Sequence, residues 1–192
     1  LHISAGFVAL ISGIIALVAL KGKRLHNLSG LVFAIAMFTV CATGIPLSIQ
    51  TNALFFLCIS VFSFYMVYTG LRSIYRNRKR QFYRFSTVDK TVLWLTAITS
   101  VCMIAYGVMQ WSNGGMGIVL MVFGIICLAL VLEDVLITYR KKKKSWLNYH
   151  LARMGGALIA ASTAFLVQNI GFFFNEPSSA IIILFWLAPS VI

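Results

Sequence analysis

The sequence predicts an all-α protein, a polytopic membrane helix bundle of seven apolar runs with its amino end outside. Three observations predict it. Of 192 residues, 60% are hydrophobic and 10% charged, and the mean hydropathy is +0.93; such a chain has too little polar surface to face water all round. Its apolar runs are mostly long enough to cross about 30 Å of hydrocarbon. The basic residues fall in three clusters, between runs one and two, three and four, and five and six, or within a few residues of the run ends. Loops of that kind are held on the cytoplasmic side. No polar stretch is long enough for a second domain, so residues 1–192 form a single transmembrane helical domain.

The first run, residues 3–20, follows His2. It has no basic leader and no small-residue cleavage site, so it is expected to be a span rather than a signal peptide. Ala5, Ala9 and Gly13 share one face at four-residue spacing, which lets another backbone come close. The sixth run carries a matching face, Ala152, Gly156, Ala160 and Ala164, and the two helices are expected to touch. A short basic turn, residues 21–24, leads to the second run, residues 25–49, opened by His26. Pro46, with Gly44 beside it, is expected to kink or end that helix. Thr39 and Thr43 share a face and can bond back to the backbone.

Residues 50–52 make a turn short enough to set runs two and three side by side. The third run, residues 53–75, is rich in Phe and Tyr and has Arg72 in its last turn. The basic loop at 76–84 also holds two aromatics and is suited to lie along a membrane surface. Ser86 or Thr87 caps the fourth run, with Asp89 and Lys90 in its first turn, and Trp111 is its interface anchor. Residues 112–115 read as a turn. The fifth run, residues 116–139, bears the adjacent carboxylates Glu133 and Asp134. The basic stretch 140–144 precedes the sixth run, residues 148–174, and residues 175–179 turn the chain again. The seventh run, residues 180–192, is too short to span unless it continues beyond the chain given.

The net charge of +12 does not point to nucleic acid, because its placement serves topology and attraction to anionic lipid headgroups. Cys41, Cys58, Cys102 and Cys127 lie in separate runs without a C-x-x-C pair and are expected to be small buried hydrophobes. Phosphate-binding glycine loops and nucleophile elbows are absent from the sequence, and no mid-helix lysine is present to conjugate a retinal.

The candidate chemistry lies at one level. Orientation brings His26, Arg72, Glu133, Asp134, His150 and Arg153 to the cytoplasmic leaflet, with the two acids roughly 10 Å along the helix from Arg140. His2 is on the opposite face. Charge at membrane depth is expensive and paired. The first expectation is therefore an ion-pair cluster, Arg72 or Arg153 against Glu133 or Asp134, with only one of the adjacent acids facing the bundle. Two histidines and a carboxylate also suit zinc or iron chemically, although H-E-x-x-H spacing is absent and the ligands would have to converge from different helices. A b-type haem would need two histidines facing each other, and His26 with His150 is the pair at equal depth. His150 and Met154, four apart on one helix, cannot sandwich one iron. A transport path with Glu133 or Asp134 as proton relay is a further alternative.

The phrase Leu1-His-Ile-Ser-Ala-Gly-Phe-Val-Ala-Leu-Ile-Ser-Gly13, followed by Lys21-Gly-Lys-Arg-Leu-His-Asn-Leu-Ser-Gly30, resembles the opening of a bacterial family of predicted membrane proteins, domain of unknown function twenty-three-oh-six. His150 to Met154 is similar to that family's later His-x-x-x-Met step. The resemblance implies a multi-pass protein of the bacterial inner membrane, names no substrate, and draws attention to His2, His26 and His150. The expected partners are the bilayer and its anionic headgroups; the molecular function is left open by the sequence, with a non-enzymatic role favoured over an enzymatic one.

Overall fold

The computed structural model describes residues 1–51, 53–79, 84–111, 115–139 and 145–191. Among the described residues the seven α-helices are α1 (His2–Val18), α2 (Arg24–Gln50), α3 (Leu54–Arg78), α4 (Thr87–Met109), α5 (Gly115–Tyr139), α6 (Trp146–Gln168) and α7 (Ser179–Leu187). Among the described residues no strand occurs. Five helices, α2 to α6, are long and apolar enough to cross a membrane. Their outward faces carry large apolar side chains such as Ile35, Leu95, Ile98 and Val101, each more than half exposed. In water such a surface would aggregate; in lipid it costs nothing. The basic stretches at 80–83 and 140–144, and the tips of the turns at 52 and 112–114, lie outside the described residues.

The bundle is two joined halves. In the first, α1 packs on α2, α2 on α3, α3 on α6 and α6 back on α1. Those contacts close a square in which α2 and α6 occupy opposite corners. In the second half α4 and α5 form a close pair, tied to the square through α3, while α7 bridges α5 and α6. Glycine permits the α4–α5 approach. A Cβ at Gly107 would come within 2.8 Å of the Gly117 carbonyl, and one at Gly124 within 2.9 Å of Ile104.

Helix ends follow local chemistry. The link after α1 turns at Gly22, whose φ of +78° is open to glycine at little cost. Ser86 caps α4 in a full capping box: its side chain accepts from the Asp89 amide and the Asp89 carboxylate accepts from the Ser86 amide. Pro46 does not end α2, which continues to Gln50. Ser48 donates to the Gly44 carbonyl at 2.7 Å, and Thr39 and Thr43 bond back to the carbonyls of Ile35 and Thr39. The sixth helix starts at Trp146 and stops at Gln168, before a 3₁₀ turn at Ile170–Phe172.

The first and sixth helices do touch, but not small face to small face. Ala5, Ala9 and Gly13 are buried, and a Cβ at Gly13 would meet Leu158 of α6 at 2.6 Å. Phe7 meets Phe165 edge-on at 5.6 Å. Gly156 instead faces Met66 of α3. Ala160 is buried and Ala164 half-buried, while Ala152 is exposed. A large residue dropping into a glycine gap buries more area than two small faces can. Cys41 and Cys127 are buried as expected, whereas Cys58 is half-buried and Cys102 lies on the outer surface.

Candidate functional site

Two histidines face one cavity from opposite corners of the square. His26 stands in the first turn of α2. Its Nδ1–H donates to the Ala16 carbonyl of α1 at 2.9 Å. That carbonyl belongs to the last turn of α1, which has no intrahelical donor, and Lys21 reaches the neighbouring Leu17 carbonyl in the same way. His150, in the second turn of α6, donates from Nδ1 to the Gly70 carbonyl of α3 at 3.1 Å. A carbonyl can only accept, so each bond fixes the tautomer and leaves the lone pair on Nε2.

Both rings line a cavity of about 500 Å³. Its walls are mainly apolar, with Leu31, Phe33, Leu71 and Leu158 among them, and Lys21, Asn27, Tyr75 and Arg78 stand at its polar end. Gly30 follows His26 by four residues on the same face, and Gly155 comes from α6. A Cβ at either would meet nothing within 4 Å, so at these two positions it is the cavity, not a neighbouring helix, that occupies the space. Met154 lines the same cavity and packs its sulfur against Gly70.

A second constellation lies on another face of α6. Tyr149 and Arg153, four apart, turn toward α5 and α3 while His150 and Met154 turn into the cavity. Arg153 is fully buried and donates from Nη2 to Asp134 at 2.9 Å, to the Leu130 carbonyl at 2.9 Å and to Glu133 at 3.3 Å. Tyr149 donates to Asp134 at 2.8 Å, and the Tyr65 hydroxyl of α3 donates to its other oxygen. The Arg153 guanidinium also lies 4.8 Å from the Tyr149 ring centre and 5.4 Å from that of Tyr65. Of the adjacent acids, Asp134 is fully buried and Glu133 is 31% exposed at its side chain, the division that a 100° step along a helix requires. The Nε and Nη1 donors of Arg153 find no acceptor among the described residues.

Arg72 does not join this group. It binds Asp89 of α4 through two parallel bonds, Nε to Oδ1 at 2.7 Å and Nη2 to Oδ2 at 2.8 Å. Tyr68 adds a third at 2.8 Å. The expected pairing of Arg72 with Glu133 or Asp134 overlooked Asp89, whose capping role marks it as a surface residue although it is buried. The six residues expected at one level thus divide into three sites: the histidine cavity, the Arg153 knot and the Arg72–Asp89 clamp.

His2 lies at the far end of the bundle, with Nδ1 2.9 Å from Thr43 Oγ1. Thr43 gives its own hydrogen to the Thr39 carbonyl, so His2 is the donor. Among the described residues no three His, Cys, Asp or Glu side chains converge as a metal site would need. The tyrosines Tyr65 and Tyr149 were missed in the sequence, and their one signal there is a helix position facing an acid in an apolar run. Compared with family models, curated proteins and solved structures, the chain matches none.

Proposed function

We propose that the protein is a membrane redox carrier that holds a b-type haem between His26 and His150. One observation carries this reading: two histidines on diagonally placed helices, each locked through Nδ1 onto a carbonyl of an intervening helix, line the same cavity, and those bonds leave the Nε2 lone pairs uncommitted. Metal-binding histidines use that second bond to set tautomer and orientation. Gly30 and Gly155 leave open the space a flat macrocycle needs. Lys21 and Arg78 suit carboxylates at the polar end. The haem, when bound, supplies one-electron chemistry. The chain's own part is to hold the two rings, to exclude water with Phe33, Leu71 and Leu158, and to neutralise the acid groups.

The setting belongs to the same proposal. The basic loops face the cytoplasm, the amino end is outside, and the apolar run that includes α7 completes a seventh crossing if it continues. The resemblance of residues 1–13 and 21–30 to a family of bacterial membrane proteins supports a bacterial inner membrane as that setting. Transport through Glu133 and Asp134 is the weaker reading, because both Asp134 oxygens already accept from Arg153, Tyr149 or Tyr65. The test is the haem content of full-length protein purified from cells supplied with haem. Near-stoichiometric haem is expected in the natural sequence and in His2→Ala, with loss in His26→Ala and His150→Ala. Equal haem content in all four would refute the ligand assignment.

A further inference from the structure

A second concavity, of about 480 Å³, lies between the end of α3 and the start of α4. Its character differs from that of the histidine cavity. Arg76, Lys79, Arg84 and Lys90 line it, along with Arg72, and the nearby acid Asp89 is engaged by Arg72. Arg76 is buried to 3% exposure, with its guanidinium 3.9 Å from the centre of the Phe85 ring. Lys79 lies 4.6 Å from the Tyr75 ring centre. Aromatic faces thus hold both cations at the wall of the basin.

The start of α4 completes the basin. Ser86 and Thr87 line it. The capping box closes the Ser86 and Asp89 amides, while the Thr87 and Val88 amides have no intrahelical acceptor and carry the positive end of the helix dipole. Concave shape, cationic excess and a helix start are the elements of a phosphate site. The basin sits at the ends of two helices long enough to cross a membrane, and the ends of a spanning helix lie near lipid headgroups.

We infer that this basin binds a phosphate group, carried by an anionic phospholipid headgroup or by a water-soluble phosphate ester. Lys79, Arg84 and Lys90 are exposed and can be changed without touching the core. Full-length protein would be analysed by native mass spectrometry after equilibration with phosphatidic acid or phosphatidylcholine. Phosphatidic acid should be retained preferentially, and its retention should fall about tenfold or more in Lys79→Gln/Arg84→Gln/Lys90→Gln. The control Lys23→Gln/Arg24→Gln, which removes charge from another loop, should leave it unchanged, and Lys90→Glu alone should weaken it. Competition by glycerol 3-phosphate assigns the site to soluble esters, and retention in its presence assigns it to lipid; either outcome supports phosphate binding. Equal retention of the two lipids, or equal losses in the triple variant and the control, would overturn the inference.

Discussion

Arg153 of α6 and Asp134 of α5 form an ion pair at 2.9 Å with neither side chain reaching the surface. The pair is completed by Tyr65 and Tyr149, so one knot joins α3, α5 and α6. Removing one partner leaves a buried charge alone, at a cost of about 3–5 kcal/mol. Asp134→Ala is therefore expected to lower the thermal midpoint in detergent strongly, and Tyr149→Phe by a smaller step of about 1 kcal/mol. Arg153→Met with Asp134→Leu, which removes both charges, should recover much of the loss. Circular dichroism melting of the three variants beside the natural sequence checks the order.

The Arg72–Asp89 clamp makes a more local prediction. Asp89 accepts from Arg72 and Tyr68 and also closes the capping box with Ser86. Ser86→Ala should cost about 0.5–2 kcal/mol, and Asp89→Ala more, because Arg72 and Tyr68 lose their acceptor as well. Hydrogen exchange should speed up in the first two turns of α4 and stay unchanged in α6.

Glycines separate packing from ligand space. A Cβ at Gly13 meets Leu158 and Phe33 within about 3 Å, whereas one at Gly6 meets nothing within 4 Å. Gly13→Val should destabilise the α1–α6 contact by about 1–3 kcal/mol, and Gly6→Val should be close to neutral. Thermal midpoints of the two variants, measured side by side, test the contrast.

Gly30→Leu and Gly155→Leu are expected to fold normally and to lose haem, since their side chains enter the cavity rather than a helix interface. Normal melting with normal haem content in both would show that the cavity is not where the group sits.

Much of the fold is legible in the sequence because hydropathy acts over whole segments. Runs beginning near Leu25, Ala53 and Met116 became helices close to their expected bounds. Pro46 did not end its helix. It sits four residues from the end of α2, where losing one hydrogen bond matters little. The pairing of Arg72 was not legible, since Asp89 reads as an ordinary capping residue and only tertiary packing buries it. For the histidines, sequence gives equal depth but not direction. Direction comes from Tyr149/Arg153 and His150/Met154 alternating on α6, a pattern that acquires meaning only when α5 and the cavity are known to lie on different sides.

The most direct test of the account is electron paramagnetic resonance of the ferric, haem-loaded full-length protein. A haem held by both His26 and His150 would give a low-spin signal that turns high-spin in His150→Ala. A high-spin signal in the natural sequence, or a low-spin signal unchanged by that substitution, would contradict it.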